Sequence, residues 1–228
     1  MRKILLNLFS HRTLALLRWD IHFMQTRMGN WFFSKNSVIK AWLKQQPAKR
    51  FLNLGSGPRG IIDPNWFNID GFKDKNVQFV CDFNKPLPFP DNLFDGIFCE
   101  HVLEHFDYDH GTRLMKECLR VLKPGGVVRI IVPNGKTILK SYFDDPAFVV
   151  KYKECKTKFP MEAVNTWFYQ RYEHQCIYDA DYLTGMLLQA GYSNAKEASY
   201  QHAVLATPEL LLDDPKYNWE SLYVEAAK

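Results

Sequence analysis

Cysteine is scarce and badly spaced for a disulfide framework. The five present, Cys81, Cys99, Cys118, Cys155 and Cys176, are odd in number and form no CxxC pair among 228 residues. That usage fits reduced thiols in a cytoplasm. No uninterrupted apolar run is long enough to cross a bilayer. The run at Ile4–Phe9 is broken by Asn7 and followed by His11 and Arg12, with no small-residue cleavage site behind it. A secretory leader is therefore not expected. Internal repeats and low-complexity segments are absent. Acid is nearly missing from the first fifty residues, where ten Lys/Arg face Asp20 alone, a charge of +9. The rest carries 19 basic and 24 acidic groups, a charge of −5. A mildly acidic body argues against nucleic acid as the main partner, and the basic arm admits an anionic surface.

What remains is a chain long enough to bury a core without staples. Residues 1–48 read as a basic, apolar, helical arm. Leu5, Phe9, Leu16, Trp19 and Phe23 fall at roughly helical spacing, with Arg12 interrupting the stripe. Such a stripe packs on its own domain or lies in a membrane interface. Peripheral membrane contact through the arm is carried as the rival expectation. Either way, removal of residues 1–30 is expected to leave the ligand site intact.

From residue 49 the pattern becomes alternating. "RFLNLGSG" is a short apolar strand ending in glycines. "WFNID" (Trp66–Asp70), "VQFVCD" (Val77–Asp82) and "FDGIFCE" (Phe94–Glu100) are three more, each ending in an acid. "GVVRIIVP" (Gly126–Pro133) is a fifth and "SLYVEAAK" a last one. Leu114, Met115, Cys118, Leu119 and Leu122 share one helical face, with Asp109 as the expected cap and Pro124-Gly125 as the stop. A second helix is expected over Asp179–Ala190, ended by Gly191. Strands alternating with helices predict an α/β three-layer sandwich. Its ligands bind beyond the carboxyl ends of the strands. Gly55, Asp70, Asp82 and Glu100 all fall at those ends.

"GSGPRG" (Gly55–Gly60) matches GxGxxG, but two prolines follow within a few residues, Pro58 and Pro64. A long helix does not fit there, so a dinucleotide would lose its pyrophosphate anchor. The succession "LNLGSG", "FNID", "CDFNKPLPFPDNLFDGIFCEHVLEH" and "LMKECLRVLKPGGVVRIIVP" resembles the class I S-adenosylmethionine-dependent methyltransferases of the type 11 group. The resemblance covers about residues 50–135 closely and 175–228 loosely. It implies a mostly parallel, seven-stranded Rossmann-like sheet with an antiparallel C-terminal strand, and S-adenosyl-L-methionine as cofactor. It places Gly55, Ser56 and Gly57 at the methionine part, Asp70 and Gly71 at the ribose, Asp82 and Phe83 at the adenine, and Glu100 and His101 alongside. The chemistry agrees: a carboxylate can accept from both ribose hydroxyls, and adenine N6 wants an acceptor. One departure stands out. Eleven residues join Gly55 to Asn65 and six join Gly71 to Asn76, too few for ordinary crossover helices.

"HVLEH" (His101–His105) also spells HxxEH, the zinc signature of inverzincin peptidases. Just beyond a strand it is expected to carry no metal. Residues 135–178 hold Tyr142, Phe143, Phe148, Tyr152, Phe159, Trp167, Phe168, Tyr169, Tyr172 and Tyr178, and are expected as an insertion on the acceptor side. Arg171 or His174 at its end is expected to face the acceptor. For a hydroxyl acceptor the candidate bases are His105, His101 and His174, with Glu104 or Asp107 orienting His105. The expectation is methyl transfer to a small-molecule acceptor, a sugar or polar metabolite of glycan synthesis. The alternatives are a membrane-associated lipid or quinone methyltransferase and a non-catalytic S-adenosylmethionine-binding module. A nucleic-acid methyltransferase ranks last, because no NPPY-type loop follows the fourth strand.

Overall fold

A computed structural model describes residues 11–32, 36–45 and 47–228. Seven strands form one sheet: β1 (Phe51–Leu54), β2 (Trp66–Asp70), β3 (Phe79–Val80), β4 (Phe94–Glu100), β5 (Leu122–Pro133), β6 (Asn194–Ala198) and β7 (Ser221–Ala227). Their order is β3-β2-β1-β4-β5-β7-β6. The β1–β2, β1–β4, β2–β3 and β4–β5 pairs are parallel, and β7 runs antiparallel to both β5 and β6. This is the sheet that the resemblance implied. Strand β6 carries too few apolar residues to be read from sequence. Strand β5 starts four residues earlier than expected, because Leu122 pairs with Phe94 across an irregularity before Gly96.

Side chains alternate across the sheet, as pleating requires. On one face Leu52, Leu54, Phe67, Ile69, Ile97, Val128 and Ile130 join the main core. Helices α2 (Asn36–Lys44), α3 (Tyr108–Val121) and α7 (Ala180–Ala190) supply Ile39 and Trp42, Leu114, Met115 and Cys118, and Leu183, Met186 and Leu187 to that core. Phe51, Trp66, Phe98, Val127, Ile131 and Tyr223 form the other face. Irregular chain and a 3-10 turn at Pro208–Leu210 cover it, through Ile61, Leu205, Leu210 and Leu212. The second layer is thin because the first connections are short. Gly57–Arg59 makes a single 3-10 turn. Asn68 then stands in for the missing helix: its side chain accepts from Ile61 N and donates to Ile61 O, both at 2.8 Å.

Helix caps follow local chemistry. Asp107, rather than the expected Asp109, caps α3 by accepting from His110 N. Asp179 caps α7, and Gly191 ends it at φ 109°, a left-handed value suited to glycine. Tyr182 of α7 is half-exposed. Helix α1 (His11–Phe32) lies against the β2–β3 end of the domain: His22 Nε2 meets Gly71 O at 2.7 Å and Asn30 Nδ2 donates to Val80 O at 2.9 Å. The arm is thus built into the domain. Leu5 and Phe9 lie outside the described residues, as does the Leu16 side chain.

The segment after β5 folds into α4 (Gly135–Asp144), α5 (Pro146–Tyr152) and α6 (Pro160–Tyr169). They enclose a small core of Ile138, Val149, Ala163 and Trp167, joined by Phe148, Tyr152, Phe168 and Trp219. Much of the aromatic stripe is therefore internal packing. Among the described residues no helix is long and apolar enough to cross a membrane.

Candidate active site

Two cavities open at the carboxyl ends of β1, β2 and β4, and they share Gly55, Asp70 and His101. The larger, about 430 Å³, is lined by Ser56, Gly57, Arg59, Glu100, Asp214 and Tyr217, among others. The smaller, about 180 Å³, has walls of Trp19, Phe23, Phe72, Phe83, Val102 and Phe106. A cleft this size, with polar groups at one end and aromatics at the other, suits a small amphipathic ligand.

The glycine turn is fixed by sterics. Gly55 sits at φ 74°, and an added Cβ would fall 2.0 Å from Val102 Cγ2. Only glycine lets the turn approach the chain after β4 so closely. Ser56 is buried and its Oγ has no partner. Asp70 braces the turn: its Oδ2 accepts from Gly57 N and its Oδ1 from Phe72 N, each at 2.8 Å. A carboxylate has about four acceptor sites, so about two stay free, the number that two ribose hydroxyls need.

Arg59 occupies the far end of the larger cavity. It pairs with Glu100, lies 3.1 Å from Asp214 Oδ2 and donates to Leu212 O at 2.9 Å. Asp214 N donates to Glu100 Oε1 at 2.9 Å. Burial pushes the Glu100 carboxyl up, and the Asp214 N–H, Arg59 and His101 only partly oppose it. The cluster offers a cation to a carboxylate and two acids to an ammonium, which are the groups of a free amino acid end. Sequence reasoning missed Arg59, although it lies inside the quoted "GSGPRG". Asp214 and Tyr217 come from a loop with no motif.

Asp82 departs from its expected place. It does not line the cavity. Oδ2 takes Arg27 of α1 at 2.6 Å, and Oδ1 accepts from Asn84 N at 3.0 Å and Asn84 Nδ2 at 3.1 Å. Phe83 and Gly71 do line it. So do Trp19 and Phe23, which removes the expected independence of the arm from the ligand site.

The chain after β4 makes no helix of two facing histidines. His101 has a left-handed φ of 53°, and only a 3-10 turn, Leu103–His105, follows. Strained non-glycine backbone of this kind concentrates at functional sites. His101 Nδ1 meets Glu104 Oε1 at 3.0 Å, and its Nε2 is buried without a partner. Glu104 thus orients His101, not His105 as expected, and Asp107 is taken by the α3 cap and by the His110 side chain. Burial pushes the His101 imidazole down, but the Glu104 hydrogen bond and charge outweigh it and hold it up. Burial pushes the Glu104 carboxyl up, yet His101, His105 and His174 bring it below its ordinary value. His105 reaches Glu173 O at 3.1 Å and packs edge-on against His174, with ring centroids 5.0 Å apart. His174 is buried, its Nδ1 is 2.6 Å from Trp167 O, and burial lowers its pKa. The Arg171 side chain lies outside the described residues.

A mostly parallel sheet with a glycine turn and acids at consecutive strand ends is an arrangement of the Rossmann-like class. Residues 65–130 match the model of a methyltransferase domain family. With this sheet and these strand ends, the chain is similar to the class I S-adenosylmethionine-dependent methyltransferases over that segment. It is similar to the ubiquinone/menaquinone biosynthesis C-methyltransferase UbiE of Pseudomonas putida, at 26% identity over 134 residues, 58% of this chain and 50% of that one. The Pseudomonas syringae pv. syringae UbiE is 33% identical over 108 residues, 41% of each chain. The chain spans about half the length of the Pseudomonas putida relative. A SAM-dependent methyltransferase from Archaeoglobus fulgidus shares the fold, with TM-score 0.50 and 16% identity over 88% of this chain and 98% of that one.

Proposed function

We propose that the protein transfers a methyl group from S-adenosyl-L-methionine to a small-molecule acceptor. The observation that carries this reading is the pair of joined cavities with Asp70 between them. Asp70 keeps free acceptor sites for ribose, Arg59 and Glu100 offer complementary charges to an amino acid end, and Phe83 and Val102 flank the apolar part. Gly55, the orphaned Ser56 Oγ and the open cradle at Gly57 fit that cofactor.

Bound there, the cofactor supplies an electrophilic methyl group. The chain aligns the acceptor and excludes water, effects that reach several kcal/mol, up to about 7–11 in well-oriented systems. Trp19, Phe23 and Phe72 close the crevice on the arm side. His101 is the group placed to take the proton of a hydroxyl acceptor at Nε2, with Nδ1 held by Glu104. His105 and His174 stand behind it, engaged with backbone carbonyls.

A sugar or polar metabolite of glycan synthesis is the acceptor class we favour, with a cytoplasmic location supported by five free cysteines. The membrane-associated lipid or quinone reading keeps support from α1, where Leu17, Ile21, Met24 and Met28 form an exposed stripe, and from the names of the UbiE relatives. Calorimetry with S-adenosylhomocysteine and NAD tests the cofactor. Labelled S-adenosylmethionine incubated with sugar nucleotides or with quinols in anionic vesicles then separates the acceptors. Tight NAD binding without S-adenosylhomocysteine binding would sink the proposal.

A further inference from the structure

The HxxEH letters conceal a different convergence from the one their spacing predicts. Glu104, His105 and His174 each bring a ligand atom within 4.8 Å of the other two. His105 Nδ1 faces Glu173 O at 3.1 Å, and His174 Nδ1 faces Trp167 O at 2.6 Å. A carbonyl oxygen can only accept, so both Nδ1 atoms carry a proton, and in the neutral ring Nε2 keeps its lone pair. Imidazoles that ligate metals are oriented in this way, by a carbonyl or carboxylate gripping the other ring N–H. Glu104 is 1% exposed. Its Oε1 is met by His101 Nδ1, while its Oε2 is buried with no hydrogen-bond partner. An orphaned buried carboxylate oxygen is costly, and a cation removes that cost.

We propose that Glu104, His105 and His174 bind one divalent transition cation beside the crevice. Two nitrogens and one carboxylate suit Zn²⁺, Mn²⁺ or Fe²⁺ and leave coordination positions open. Two ligands about 2.1 Å from one ion lie at most about 4.2 Å apart, so a small side-chain rotation closes the site. His105 lines the cavity that holds Asp70 and His101, so the open positions adjoin the acceptor side and take an oxygen of the acceptor. That last role rests on the methyltransferase reading; the metal site stands on the three side chains. It departs from the sequence expectation of no metal, which weighed His101 with His105. His101 instead braces the ligand carboxylate, and His174 arrives from 69 positions downstream of His105.

Chelator-treated full-length protein is titrated calorimetrically with Zn²⁺ and with Mn²⁺, and separately with S-adenosylhomocysteine. One saturable metal site per chain is expected. Glu104→Gln, His105→Ala and His174→Ala are each expected to weaken it by about 100-fold or more, and His110→Ala to leave it unchanged. Far-UV circular dichroism checks folding, and Glu104→Gln, nearly isosteric, is the variant least liable to unfold. Absence of saturable binding at millimolar metal, or full binding in Glu104→Gln, overturns the site. Metal binding with no S-adenosylhomocysteine binding would remove the methyltransferase reading and leave the site standing.

Discussion

Asp70 offers the sharpest test of the cofactor assignment. Its two oxygens already accept from Gly57 N and Phe72 N, and about two acceptor sites remain for the ribose hydroxyls. Asp70→Ala removes both of those bonds. Hydrogen bonds to a charged group contribute about 1.5–3 kcal/mol each. The variant also loosens the glycine turn, so the loss is at least the lower figure twice over, about 3 kcal/mol. That is roughly a 150-fold weaker affinity. Calorimetry with S-adenosylhomocysteine measures it, and 5′-methylthioadenosine provides the control. Methylthioadenosine keeps the ribose and lacks the amino acid end, so Asp70→Ala should weaken both ligands by a similar factor. A loss below threefold for either ligand, in a variant with native circular dichroism, would refute the ribose role.

Arg59→Leu should weaken S-adenosylhomocysteine by about 1.5–3 kcal/mol and leave methylthioadenosine nearly unchanged, because on the proposed reading the guanidinium meets the carboxylate that methylthioadenosine lacks; equal losses would place Arg59 elsewhere. Trp19→Ala with Phe23→Ala should weaken S-adenosylhomocysteine by about 5- to 150-fold, at about 0.5–1.5 kcal/mol per lost aromatic contact, and unchanged affinity would restore an independent arm. Arg129→Met should cost about 3–5 kcal/mol, since it leaves the Asp213 and Glu225 carboxylates buried without their cation; the melting temperature should fall by roughly 6–20 °C, and a drop under about 2 °C contradicts the ledger of that network. Burial pushes the Glu225 carboxyl up, but the N–H groups of Leu205, Ala206 and Val204 and the charge of Arg129 hold it below the ordinary 4.5. Its stabilisation is therefore complete above that value and lost as pH falls through the lower, folded value. Acid unfolding followed by fluorescence should be shallower in Glu225→Gln, and an identical acid limb would show that Glu225 does not drive it.

Much of the site was legible locally. A glycine turn and an acid at a strand end are properties of a few consecutive residues, so Gly55, Asp70 and Glu100 could be placed from spacing alone. Strand alternation likewise set the two faces of the sheet, because pleating assigns neighbouring side chains to opposite sides. The cap at Asp107 was missed by two residues because both Asp107 and Asp109 can cap, and only backbone geometry at the helix start chooses between them.

The sequence by itself determined the class of sheet, the short first connections and the strand-end acids, since each follows from a repeat of two or from residues adjacent in the chain. Tertiary structure alone decided which distant groups meet. Arg27 crosses 55 positions to reach Asp82, Asp214 crosses 114 to reach Glu100, and Gln175 N, 71 positions on, donates to Glu104 O at 2.8 Å and draws His174 beside His105. No periodicity encodes such encounters, because they depend on where whole elements dock. Burial then set the chemistry of Glu104: it pushes the carboxyl up, and the three histidines that only the fold gathers round it bring it below its ordinary value.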